Sequence, residues 1–143
     1  MTTAAAIGFG VTFSIYDTSI SPDAYVALGE VLNVDGPSMS RDMIDATHTG
    51  STSRWREFVS GLRDGGEVSV EMNLDPDGST YLLLFNEMES DTKKNHKITF
   101  PDTSTWSFSG LITGLESSQP VDDKMVVTAT FKVDGQPALT QAA

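Results

Sequence analysis

"GGEVSVEMNL", residues 65–74, alternates between two faces along almost its whole length. Val68, Val70, Met72 and Leu74 point one way from an extended chain, and Glu67, Ser69, Glu71 and Asn73 the other. A period of two predicts a strand with one face on a core and a polar face turned elsewhere. The pattern recurs in "IGFGVTFSI" (7–15), where Ile7, Phe9, Val11, Phe13 and Ile15 share a face. It recurs again in "KMVVTATFKV" (124–133), with Met125, Val127, Ala129, Phe131 and Val133 against Val126, Thr128, Thr130 and Lys132. "NHKITF" (95–100) and "STWSFSGLITG" (104–114) add two strands, and "AYVALGEVLNV" (24–34) a further one, bulged near Gly29. "LESSQPVDD" (115–123) carries Pro120 and an Asp pair, turn chemistry that joins the last two strands into a hairpin.

After "DPDG" (75–78) the period changes. Tyr81, Leu84, Phe85 and Met88 stand at i, i+3, i+4 and i+7, and Leu82 and Leu83 widen the stripe. The spacing predicts a helix over 79–89, capped by Asp77 or Ser79, mostly in the core with one edge free for a neighbour. About six strands and one helix make a mainly-β domain, a β-sandwich or partly opened β-barrel with the helix on its flank. Residues 1–143 read as one domain, with extended arms at 1–6 and 136–143 and a long inter-strand loop at 36–65.

Trp55, Phe58, Val59 and Leu62 in that loop stand at helical spacing, which predicts a short amphipathic turn. Arg41, Arg54, Arg56 and Arg63 gather beside them. Aromatics interleaved with arginine have the composition of a protein–protein hot spot. The alternative is that Trp55 and Phe58 close the domain's own core.

Charge narrows the function classes. Twenty acidic residues against nine basic ones give a net −11 over 143 residues, which argues against binding nucleic acid by phosphate neutralisation. Without cysteine there is no disulfide framework and no zinc–thiolate site, a composition that fits a reducing cytoplasm. "YLLLF" (81–85) falls far short of the roughly 20 apolar residues that span a bilayer, and "MTTAAAIGFG" (1–10) lacks the basic start of a secretory signal. The reading is a soluble protein that inserts in no membrane.

Catalytic patterns are sparse. "DATH" (45–48) would let Asp45 orient His48 toward Ser51 or Ser53, but no nucleophile elbow supports that hydrolase reading. "DPDGST" (75–80) opens like a calcium loop yet carries Thr80 and Asn86 where Gly and Glu are required. "GFG" (8–10) lacks the rest of a dinucleotide fingerprint, and "VDDK" (121–124) reads as a solvated turn. No enzyme, cofactor or metal site is predicted.

Taken in order, an alternating N-terminal strand, "YVALGEVLNVDGP" (25–37), "RDMIDATHTGS" (41–51), "GLRDGGEVSVEMNLDPDGS" (61–79) and "WSFSGLITGLESSQPVDDKMVVTATFKVDG" (106–135) resemble the major tail tube proteins of long non-contractile tailed bacteriophages and gene-transfer particles. The resemblance runs from about Ile7 to Gly135 and is strongest in "IDATHTGS", "GLRDGGEVSVEMN" and the final hairpin. It implies a structural subunit of a virion tail, assembled in the host cytoplasm. Hexameric rings would stack into a tube, closed at its ends by tail terminator and tail tip proteins. DNA would pass through the lumen without specific binding. Inner sheets would join edge to edge around the channel, and the loop after the second strand would reach the adjacent ring. On that basis Arg54, Trp55 and Arg56, with Phe58, Arg41 and Arg63, are expected at the inter-ring interface. Glu67, Ser69, Glu71, Asn73, Thr128 and Thr130 are expected to line the lumen, with Ser107 and Ser109 as further candidates. Two other readings remain: the tube of a contractile injection or type VI-like system, and a monomeric β-sandwich ligand-binding module. The last should present an aromatic platform, whereas Trp55 and Trp106 fall on different segments.

Overall fold

Alternation does produce strands wherever one face is buried. The computed structural model of the chain describes residues 10–17, 22, 24–75 and 78–141. In it β1 (Thr12–Asp17), β2 (Ala24–Ala27), β3 (Val31–Asp35), β6 (Glu67–Asn73), β7 (Lys94–Thr99), β8 (Thr105–Ser118) and β9 (Val126–Thr140) form one sheet in the order β2-β1-β7-β8-β9-β6-β3. Every pairing is antiparallel. β4 (Ser40–Asp45) and β5 (Phe58–Asp64) pair only with each other, and α1 (Ser79–Glu89) is the single α-helix among the described residues.

The long pair β8–β9 makes the sheet a sandwich rather than a flat ribbon. Bulges between Ser107 and Ser109 and between Ile112 and Gly114 bend it, as extra residues in one strand do. On one side of the bend β7 pairs with 105–110 of β8; on the other, β6 pairs with 126–132 of β9. The two halves face each other across the core. Phe13, Ile15, Ile98 and Phe108 come from one half, and Val68, Val70, Met72, Val127, Ala129 and Phe131 from the other. The Phe13 and Phe131 rings stack at 5.0 Å across the middle. Gly110 lies so close to the carbonyl of Lys132 that a Cβ there would sit 2.1 Å from it, and the bent strands rely on that close approach.

The helix seals the open side through Leu84, with Tyr81 and Leu83 packed alongside. It also buries Glu87, whose Oε1 lies 2.5 Å from Nε2 of His96 on β7, both side chains fully inaccessible. The His96 ring stacks on Phe108 at 5.0 Å and lies 4.7 Å from Phe131, so helix and strand are joined by one polar contact inside an aromatic cluster. His96 is therefore a core residue.

Several sequence expectations are corrected. Residues 24–34 are two strands on opposite sheet edges, with Glu30 at φ 54 turning the chain between them. The helix begins after Gly78, with no side-chain cap; Asp77 lies outside the described residues. Residues 136–140, expected in a terminal arm, are the end of β9, and 138–140 pair with 105–107 of β8. The other expected arm, 1–6, and Ile7 and Phe9 lie outside the described residues. The loop at 36–65 holds a hairpin, which is the candidate site.

Candidate assembly surfaces

Residues 40–64 leave the sandwich as a two-stranded hairpin whose side chains are almost all exposed. Its register pairs Arg41 with Arg63, Met43 with Ser60, Ile44 with Val59 and Asp45 with Phe58, with a bulge in β5 at Gly61 and Leu62, opposite Asp42. Ile44 and Val59 share one face; Met43 and Phe58 occupy the other. Phe58 is 53 % exposed and Leu62 83 %. Both faces are thus apolar and uncovered, and an isolated two-stranded hairpin is at best marginally stable in water. The helical turn predicted from Trp55, Phe58, Val59 and Leu62 does not form. Phe58, Val59 and Leu62 belong to β5, and Trp55 follows a short 3-10 turn at Thr52–Arg54. Nor does Trp55 close the core, since it is 75 % exposed.

Hydrogen bonds local to the tip stiffen it. Thr47 donates its backbone N–H to Asp45 at 2.9 Å, Glu57 donates its own to the Thr47 hydroxyl at 2.8 Å, and Arg56 reaches Asp45 at 3.0 Å. Thr47, through its hydroxyl and then its N–H, holds the Asp45 carboxyl below its ordinary pKa, with Arg56 adding to the effect. Ser51 donates to Glu57 at 2.9 Å, and His48 sits 3.3 Å from the same carboxylate oxygen while its Nδ1 accepts the Gly50 N–H. Asp45, His48 and Ser51 are therefore neighbours without being a triad, because Glu57 takes both His48 and Ser51. Arg56, expected at an interface, is engaged inside its own hairpin. Arg41, Arg54 and Arg63 have no acidic partner within 4.0 Å among the described residues.

Two glycines fix how the hairpin leaves the sandwich. Gly36 (φ +106) and Gly66 (φ +73) stand in the left-handed region. A Cβ on Gly66 would lie 1.9 Å from the Ser38 carbonyl, and one on Gly36 2.5 Å from that of Glu67. Beside this neck, Lys132 Nζ contacts both oxygens of Asp64 at 3.0 and 3.2 Å, and Asp64 accepts the Gly66 N–H at 2.8 Å. The Gly66 N–H first, then Lys132, lowers the Asp64 pKa.

The second surface is the polar face of β3, β6, β9 and the far half of β8. Glu67 lies opposite Lys132, Ser69 opposite Thr130 and Glu71 opposite Thr128, so Glu67, Ser69, Glu71, Asn73, Thr128 and Thr130 come together on one face. Asn33 and Asp35 extend it on β3, and Glu116 on β8. Lys132 is the only cation in β3, β6 or β9, and Asp64 holds it. Ser107 and Ser109 lie beyond the bend, on the half that pairs with β7. Both edges of this four-stranded half are open: β3 has no outer neighbour, and nothing pairs with 111–118 of β8 opposite β9 among the described residues. No group of three or more His, Cys, Asp or Glu could hold a metal ion among the described residues.

A family model described as lambda phage tail tube protein matches residues 9–140. The chain belongs to that family. It is a structural tail tube subunit of a phage or gene-transfer particle. No curated protein sequence matches it. Among solved structures, the tail of an empty gene transfer agent particle refined with helical C6 symmetry superposes at TM-score 0.79 and 16 % identity, covering 96 % of this chain and 100 % of that one. The sheath–tube complex of an extracellular contractile injection system gives 0.72 at 18 %, covering 98 % and 93 %. The SPP1 tail tube gives 0.71 at 9 %, covering 97 % and 81 %. At these identities the likeness is one of fold.

Proposed function

We propose that this tail tube protein closes into hexameric rings that stack into a tube, and that the tube conducts DNA without binding it. The observation that carries the reading is the β4–β5 hairpin, apolar on both faces and covered on neither. A monomer gains nothing from that arrangement, whereas burial in an adjacent ring removes Phe58, Val59 and Leu62 from water, each worth about 1.5–3 kcal/mol when fully buried. Trp55 and Phe58 are the anchors of this inter-ring contact, with Arg41, Arg54 and Arg63 around them; Arg56 serves by holding the hairpin tip to Asp45.

In a ring, the open edge of β3 in one copy meets residues 111–118 of β8 in the next, which removes both exposed edges by closure. The face bearing Glu67, Ser69, Glu71, Asn73, Thr128 and Thr130 then lines the channel. Each carboxylate becomes a ring of carboxylates repelling phosphates, while hydroxyls and amides keep the wall wet without a cationic anchor. A stack of identical contacts leaves an unsatisfied face at each end, where tail terminator and tail tip proteins bind. Assembly takes place in the host cytoplasm. The second reading, a tube inside a contractile sheath, is favoured by the exposed Leu82, Phe85 and Met88 stripe on α1, which a sheath subunit would cover. Co-assembly with a sheath protein distinguishes it.

The test is negative-stain microscopy of the purified protein against Trp55→Ser/Leu62→Ser. Wild type should give hollow tubes, and the variant folded subunits without them. Normal tubes from the variant would refute the placement of the interface.

A further inference from the structure

We infer that a groove at the base of the hairpin receives the β8–β9 turn of a second copy, Val121 entering the groove and Asp122 and Asp123 meeting Arg41 and Arg63. This rests on the stacked-ring reading and names the two segments that meet between rings.

The groove lies between the hairpin neck and the free end of the β8–β9 pair, with a volume of about 850 Å³. Met39, Trp106, Pro137 and Leu139 supply its apolar walls, and Arg41 and Arg63 its charge. Pockets of about 300–1,000 Å³ suit a small ligand or a few residues of peptide. Arg41 and Arg63 lie directly opposite each other across the strands, a like-charge pairing that destabilises a hairpin unless something neutralises it. Neither has an acidic partner among the described residues, and the Asp64 beside them is committed to Lys132. The groove therefore fits a ligand with an apolar end and two carboxylates.

The chain carries such a segment. Val121 is fully exposed at the turn between β8 and β9, directly followed by Asp122 and Asp123, both exposed. The turn opens at Ser118 and Val126, whereas Trp106 and Leu139 of the groove are paired at the opposite end of the same two strands. At about 3.3 Å per residue, the 14 residues of β8 give a path of roughly 40 Å along the strand, which its bends shorten, so the two ends stay apart. Donor at one end and acceptor at the other make a head-to-tail contact. Such a contact propagates along the strand pair instead of closing on itself, which is what stacking requires. Charge complementarity also sets the register, because the −11 chain offers few other cationic sockets.

Charge-swap variants test the pairing. Arg41→Glu/Arg63→Glu and Asp122→Lys/Asp123→Lys should each shorten tubes at least tenfold. All four substitutions together should restore wild-type length. Thermal melts of the variants and of Arg41→Gln/Arg63→Gln separate misfolding from lost contact, and the neutral variant should also shorten tubes. Normal tubes from either charge-reversed pair alone would overturn the inference. So would a folded fourfold variant that stays tubeless, which would point to another acidic segment such as 89–91. Wild type that makes no tubes even with tail tip proteins would overturn the stacked-ring reading itself, and this inference with it.

Discussion

Replacing His96 with alanine should cost about 4 kcal/mol of subunit stability. The side chain is fully inaccessible, its Nε2 is 2.5 Å from Glu87 Oε1, and neither Glu87 Oε2 nor His96 Nδ1 has a hydrogen-bond partner among the described residues. Removing the ring leaves the Glu87 carboxyl buried without compensation, and breaking a buried pair from one side costs about 3–5 kcal/mol. A cavity also opens among Phe13, Phe108 and Phe131, which the ring now fills. Unfolding entropy of about 2.1 cal/mol/K per residue converts 1 kcal/mol to about 3 °C for a 143-residue chain, so a melting temperature about 12 °C lower is expected. Urea denaturation of the unassembled subunit measures the cost directly. The double replacement Glu87→Leu/His96→Phe removes both polar groups and should recover most of the loss, because apolar replacement of a buried pair is often neutral or stabilising. A His96→Ala cost below about 1 kcal/mol, or a double variant no better than the single ones, would refute the idea that Glu87 depends on His96.

Three further outcomes follow. Gly66→Ala should loosen the hairpin neck, since its Cβ would collide with the Ser38 carbonyl at a positive φ; faster proteolysis within 40–64 with the core intact would register it. Glu67→Lys/Glu71→Lys should leave tubes normal but retain DNA in the channel, read as slowed or salt-dependent ejection. Asp45 and Asp64 have lowered pKa values in the fold, so their stabilisation is fully present above the unfolded carboxyl value of about 3.9 and lost as pH falls through the lower folded values. Protection of the hairpin amides relative to their intrinsic exchange rates should therefore fall only under acid, and Asp64→Asn should flatten the part of that response arising at the neck.

The sequence reading succeeds where one face of a strand is buried by its own chain. Val68, Val70 and Met72, or Val127, Ala129 and Phe131, alternate because water lies on one side only. It fails at β4 and β5, where Met43, Ile44, Phe58, Val59 and Leu62 crowd both faces and period two disappears. The residue spacing then mimics a helix. The break at Glu30 was equally hidden, since two edge strands of four and five residues read as one bulged strand. The six polar-face residues were legible from alternation alone, but the groove was not. Its walls come from 39–41, 63–65, 106, 135–137 and 139, which only the pairings of β4 with β5 and of β8 with β9 bring together. The adjacent apolar pairs Met43–Ile44 and Phe58–Val59, each within a few residues of arginines, were the available clue to the hairpin's outward role.

A helical reconstruction of assembled tubes by electron cryo-microscopy would show directly which face lines the channel and what covers the hairpin. Glu67 and Glu71 should lie on the channel wall, with the β4–β5 hairpin buried against the next ring. A channel lined by the opposite sheet half, or a hairpin still solvated in the tube, would contradict that arrangement.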